Sequence, residues 1–83
     1  MVVNEIKESD NFKQIFRKLD ESVRAKVKKL ILKIIENPEI GKPMRHNRKG
    51  TREVYAKPFR LSYAYFPAEN KVTFLDLYHK DGQ

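Results

Sequence analysis

Hydrophobic side chains recur along the chain with two different periods, and the change of period separates a helical half from an extended one. Residues 2–6, "VVNEI", carry apolar and β-branched side chains at Val2, Val3 and Ile6 and predict a short strand. In "SDNFKQIFRKLD", Phe12, Ile15, Phe16 and Leu19 fall at helical spacing behind Ser9 or Asp10 as N-cap. A second helix is predicted from about Asp20 through "ESVRAKVKKLILKIIE". There Val23, Val27, Leu30, Ile31, Ile34 and Ile35 form one apolar stripe, and Arg24, Lys26, Lys28, Lys29 and Lys33 cover the remaining surface. Asn37-Pro38 ends this helix, because proline disfavours helix in the residue before it. The short junction near Asp20 implies an antiparallel helix pair whose stripe is core.

After Pro38 the helical period stops. "PEIGKPMRHNRKG" holds two prolines and two glycines and reads as a loop over about 38–51. Three strands are predicted next, at 52–57, 60–66 and 72–78, the first pair separated by Pro58 and Phe59 and the second by "PAENK". The order β-α-α-β-β-β is an α+β architecture, an antiparallel sheet with a helical hairpin on one face. With no repeat, linker or low-complexity segment, residues 1–83 form a single domain. Alternation assigns Leu61, Tyr63 and Tyr65 to one face and Arg60, Ser62 and Ala64 to the other. In the preceding strand Val54 and Ala56 alternate with Glu53, Tyr55 and Lys57. If the helices cover the apolar faces, Lys57 and Arg60 emerge together on the open face, bordered by the loop that carries Lys42, Arg45, His46 and Arg48.

Composition narrows the chemistry. With 83 residues, 40% of them hydrophobic, the chain supports one thin core. It has no cysteine, which excludes disulfides, thiolate zinc sites and a cysteine nucleophile. No apolar run approaches the roughly 20 residues of a membrane span, and the N-terminus does not read as a signal peptide. A cytoplasmic protein without membrane contact is therefore expected. Lys and Arg total 18 against 11 acidic residues, a net charge of +7, which favours a polyanionic partner. The charge is concentrated: Lys42, Arg45, Arg48, Lys49, Arg52, Lys57 and Arg60 face a single acid, Glu53, within that span.

Three isolated glycines make no phosphate-cradling loop, and His46 and His79 lack metal-ligand spacing, so neither cofactor nor metal is expected. What remains suits phosphodiesters: Lys and Arg to hold phosphate oxygens and His to move protons. Metal-free RNA cleavage asks that a 2′-OH be deprotonated, that cations stabilise the phosphorane and that the leaving 5′-oxygen be protonated. Crowded lysines have lowered pKa values, so one of them can act as the base.

"KPMRHNRKG", "FRLSYAYF" and "FLDLYHKD", on the β-α-α-β-β-β frame, resemble the RelE/ParE superfamily of toxins from toxin–antitoxin systems, over essentially the whole chain. "FRLSYAYF" looks like the family's hydrophobic-Arg-Leu-x-Tyr strand, and "PMRHNRKG" like the loop of YoeB-type members. The resemblance implies a ribosome-dependent, metal-independent endoribonuclease that cuts mRNA in the ribosomal A site, with a RelB-like antitoxin covering its basic face through an acidic or amphipathic segment. By position, Arg60 would bind the scissile phosphate, His79 would match the YoeB-type general acid, and Lys80 the RelE-type cationic acid or phosphate ligand. Lys57 would match a RelE-type strand lysine that holds phosphate or acts as base, and His46 a YoeB-type loop histidine. Lys42, Arg45, His46, Arg48, Lys49, Arg52 and Tyr55 are the candidate RNA contacts. Lys42 stands where the YoeB pattern has its glutamate base, and the C-terminal tyrosine of many relatives is absent, leaving Tyr55 or Tyr78 to stack on a base. Arg60 could instead pair with Glu53 across neighbouring strands. The rival functions are a ParE-like gyrase inhibitor, against which "YHK" argues, and an RNA-binding relative that lacks a competent acid–base pair.

Overall fold

The structure, a computed structural model, describes residues 3–43 and 50–79. Strand β1 (Glu5–Glu8) leads into helix α1 (Asp10–Lys18) and helix α2 (Glu21–Glu36), followed by strands β2 (Lys42–Pro43), β3 (Thr51–Ala56), β4 (Phe59–Phe66) and β5 (Lys71–His79). The strands form one mixed sheet in the order β1-β5-β4-β3-β2. β3, β4 and β5 make the expected antiparallel meander, β1 adds to β5 in parallel, and β2 adds two residues to β3. Two helices packed on such a sheet are the expected α+β architecture.

Both helices begin where local chemistry favours it. The Ser9 side chain accepts from the backbone N–H of Phe12, and that of Asp20 from Val23, which satisfies donors orphaned in each first turn. Asn37 closes α2 ahead of Pro38. One face of the sheet and the inner stripes of both helices then share a core of Val3, Phe12, Val27, Ile34, Leu61, Tyr63, Val72, Phe74 and Leu77. Phe12 packs on Phe16 and Phe74 at ring-centroid separations of 5.7 and 5.6 Å.

Two elements differ from expectation. The first strand lies at 5–8 rather than 2–6 (Val2 is outside the described residues), because Val3 is drawn into the core and its N–H bonds the carbonyl of Ile35 at 3.0 Å. Strand β2 interrupts the predicted loop, and two side chains hold the segment before it. The fully buried Tyr63 donates its hydroxyl proton to the Pro38 carbonyl at 2.7 Å and accepts from the Gly41 N–H at 2.9 Å. A Cβ on Gly41 would lie 2.6 Å from that hydroxyl, so this approach requires glycine. Arg52, opposite Tyr63 in the sheet, donates Nη1 to the carbonyls of Glu39 (3.0 Å) and Gly41 (2.8 Å).

The β4–β5 pairing contains a register shift: Ser62 lies opposite Asp76 but Tyr63 opposite Phe74, so Leu75 is an extra residue. The bulge is anchored to the start of α1. Ser9 donates its hydroxyl proton to the Leu75 carbonyl at 2.6 Å, and Asn11 donates Nδ2 to Asp76 Oδ1 at 2.8 Å.

Removing the Tyr63 hydroxyl strands a buried N–H and a buried carbonyl, at a cost of about 1–3 kcal/mol. Tyr63→Phe should therefore lower the melting temperature by roughly 4–8 °C for each kcal/mol lost. Burial raises the Tyr63 pKa, opposed by the Gly41 bond and by Arg52. Because the folded protein then holds this proton more tightly than the unfolded chain, stability is full below pH 10 and falls as pH rises above it. Urea melts across that range should show the fall in the wild-type chain and a smaller one in Tyr63→Phe.

Candidate nucleic-acid interface

Two rows of side chains cross the face of the sheet opposite the helices. Tyr55, Arg60 and Tyr78 lie directly opposite one another on β3, β4 and β5. Two residues along, Lys42 on β2 stands opposite Glu53 on β3, and Glu53 opposite Ser62 on β4. Residues two apart on a strand share a face, so Glu53 and Arg60 are diagonal neighbours.

Glu53 organises these rows. It is only 8% exposed, although it lies on the open face. Arg60 Nη1 meets its Oε1 at 2.9 Å, and the Tyr78 hydroxyl donates to Oε2. A carboxylate this buried needs such partners, since an uncompensated charge there would be costly. The Glu53 hydrogen bond, with the nearby negative charge, raises the pKa of Arg60, so the guanidinium is always charged. The Arg60 side chain is nonetheless 42% exposed. Glu53 therefore holds one nitrogen from below while the side chain stays accessible from above. Arg60 and Glu53 line an open cavity of about 430 Å³ together with Ile40, Lys42, Val54 and Tyr55.

Of the residues expected from the sequence, Arg60, Lys42 and Tyr55 meet in this cavity. Lys57 does not line it: with Pro58 it forms the exposed turn between β3 and β4. Arg52 bonds the 39–41 backbone, as described above, rather than facing the cavity. His79 lies opposite Phe59, with its ring edge-on to that of Phe59 at 5.4 Å. Phe59 packs against the core, so the pleat directs His79 to the face opposite Arg60. The bulge produces this arrangement. In phase with Val72 and Phe74, Tyr78 would point to the core; the extra residue passes that face to Leu77 and His79 and brings Tyr78 to the open face beside Arg60. Arg45, His46, Arg48, Lys49 and Lys80 lie outside the described residues. Ile40, 46% exposed at the cavity wall, was not singled out by its sequence context, which is loop-like. Glu53 and Tyr78 were visible as candidates, but their mutual bond required the bulge. Among the described residues no group of three or more His, Asp or Glu could hold a metal ion, and no helix is long and apolar enough to cross a membrane.

The family described as ParE toxin of type II toxin-antitoxin systems, parDE, matches residues 8–83. The chain belongs to the RelE/ParE superfamily of toxins. Among solved structures, a chain of the toxin–antitoxin complex RelBE2 from Mycobacterium tuberculosis superposes with a TM-score of 0.83 at 24% identity, covering 98% of this chain and 97% of that one. The intact E. coli RelBE complex contains a chain with a TM-score of 0.79 at 19% identity, with coverage of 94% and 96%. A YoeB/ParE toxin from Agrobacterium tumefaciens gives 0.81 at 12% identity, with coverage of 92% and 98%. At these identities the likeness is one of fold. No curated protein matches the sequence. Within the RelE/ParE frame, the Glu53–Arg60–Tyr78 cluster sits on the open face of the toxin sheet.

Because Arg60 compensates the buried Glu53, Arg60→Ala should destabilise the toxin, and adding Glu53→Gln should recover part of the loss. Thermal melts of the two variants test this: the double variant is expected to melt above Arg60→Ala. An additive further loss would mean that the pair is not coupled.

Proposed function

We propose that this toxin is an mRNA interferase, a ribosome-dependent, metal-independent endoribonuclease that cuts mRNA in the A site and so inhibits translation. The observation that carries the proposal is the half-exposed guanidinium of Arg60, fixed at one nitrogen by a buried carboxylate and facing a cavity that also holds Lys42. A guanidinium has five N–H donors in a rigid fork. Those not used by Glu53 can hold the non-bridging oxygens of the scissile phosphate and stabilise the phosphorane.

The 2′-oxygen attacks phosphorus as its proton leaves to a lysine, with Lys42 in the cavity or Lys57 in the turn beyond β3 as candidates. The P–O5′ bond then breaks, and the 5′-oxygen takes a proton from His79 or Lys80. Glu53 is a positioning residue here, its two oxygens engaged by Arg60 and Tyr78. For His79 to serve as acid, its ring must leave Phe59 and turn round the end of β5 toward Arg60. Catalytic hydrogen bonds often tighten only once substrate is bound.

A gyrase-directed toxin is the alternative, favoured by that same orientation of His79 away from Arg60 and by the ParE description of the matching family. Primer extension on mRNA in programmed ribosomes separates the two. A new 5′ end in the decoding codon, absent without ribosomes and reduced about 10²–10³-fold by Arg60→Ala, is expected. No cleavage, together with inhibition of DNA supercoiling, would overturn the interferase.

The basic face also calls for a neutralising partner. RelE-type toxins have been solved in complex with RelB antitoxins, and we extend this to an acidic or amphipathic antitoxin segment that wraps the present domain. Co-expression with the product of the neighbouring gene should give a stable complex; its absence would contradict the partner. If about five cations meet phosphates, log K for RNA against log salt should slope about −3 to −4.

A further inference from the structure

Past Tyr63 the β4–β5 ladder can run in two phases, and the chain takes the irregular one. Continued evenly from the Tyr63–Phe74 pair, it would set Leu61 opposite Asp76, Arg60 opposite Leu77 and Phe59 opposite Tyr78. Residues directly opposite one another share a face, and Leu61 is fully buried. The even phase would therefore put the Asp76 carboxylate in the apolar core, turn Tyr78 inward against Phe59 and leave Leu77 on the open face. A charge buried there without a partner is costly. With Leu75 as the extra residue, Leu77 takes the core at 1% exposure, Asp76 stands opposite Ser62, and Tyr78 opposite Arg60. A slip of one residue exchanges the faces of everything beyond it, so this choice also decides which of Tyr78 and His79 accompanies Arg60.

The observed phase is fastened as well as selected. Asp76 Oδ1 accepts from the Leu77 N–H and from Asn11 Nδ2, both at 2.8 Å. Ser9, the cap of α1, gives its N–H to the Phe74 carbonyl at 2.9 Å and its hydroxyl proton to that of Leu75 at 2.6 Å. These bonds all fall on residues 74–77, where the phase changes. Asp76 does not line the cavity, yet the Tyr78 bond to Glu53 exists only in the phase that Asp76 favours.

We infer that Asp76 is a positioning residue for the open-face site. Its charge selects the bulge, and the bulge delivers the Tyr78 hydroxyl to Glu53 and so steadies Arg60. Its part in the register stands on the strand pairing alone; its part in cleavage rests on the interferase proposal.

Cross-strand nuclear Overhauser contacts between β4 and β5 read the phase, and ribosomal primer extension reads its consequence. Asp76→Leu combined with Leu77→Thr makes the even phase the one that buries the apolar side chain, and it places no new charge beside Arg60. This variant should move Tyr78 from Arg60 to Phe59 and lower cleavage about 10²-fold, the scale of a small misplacement at a reacting centre. Asp76→Asn keeps an acceptor for Leu77 and Asn11, and should retain both the phase and the cleavage. Deleting Leu75 lets Ser62–Asp76 follow directly on Tyr63–Phe74, so Tyr78 should stay opposite Arg60 and cleavage should persist, although Ser9 loses a partner. A double variant that keeps Tyr78 opposite Arg60, or a deletion that turns Tyr78 to the core, would overturn the inference. Should the double variant not fold, Asp76→Asn and the deletion still decide it. A switched phase with undiminished cleavage would overturn the positioning role. Absence of cleavage by the wild-type chain, with the phase switching as expected, would remove the interferase and leave Asp76 as the residue that sets the register.

Discussion

A carboxylate that is 8% exposed has been placed on the outer face of a strongly basic sheet, and the candidate site depends on how it is compensated. Glu53 meets Arg60 through one oxygen and Tyr78 through the other. A pair with one buried partner need not add much net stability, because desolvation of the carboxylate offsets much of the attraction. What the pair provides is direction. An arginine on an open sheet face would otherwise sample many rotamers; tied to Glu53 at one nitrogen, it keeps a defined orientation toward the cavity. A phosphate that arrives there meets a cation whose ordering cost was met on folding, which is the general advantage of a preorganised electrostatic site.

The other charges divide into working and structural groups. Arg52 belongs to the same basic run as Arg60, yet it bonds two carbonyls of the segment before β2, where Tyr63 also holds Pro38 and Gly41. Together they fix the approach to Lys42 and Ile40, two of the side chains that line the cavity. A net charge of +7 therefore overstates how many cations an RNA backbone could meet. The fold spends some of its positive charge on its own backbone.

Much of this was legible before the structure. The helical stripes, the Ser9 cap of α1 (one of two candidates) and the faces of β3 and β4 follow from period and local chemistry, because each depends on residues a few positions apart. Alternation alone set Arg60 with Ser62 and Glu53 with Tyr55, and cross-strand pairing of Arg60 with Glu53 was an open alternative from the outset. The failures lie where phase or tertiary context intervenes. A strand beginning at Val2 looked sound until Val3 was needed in the core. The two-residue β2 is too short to carry a period. At the end of β5 the bulge reverses the faces, so Tyr78 joins Glu53 and His79 turns to Phe59. The one sign of that reversal was Asp76, a charged residue in phase with Val72 and Phe74. Lys57 followed the alternation on paper but falls in the turn, where alternation no longer applies.

Membership of the RelE/ParE superfamily narrows the function to a toxin of a type II toxin–antitoxin system, and the open-face cluster is where the proposed phosphate chemistry would take place. The most direct test of that cluster is the guanidinium itself, observed through its side-chain 15N–1H NMR signals with and without a short RNA. Restricted rotation, with separate Arg60 Nη signals that Glu53→Gln merges and that RNA shifts in the wild-type chain, is the predicted result. Averaged Nη signals that neither the substitution nor RNA alters would contradict a preorganised phosphate site at Arg60.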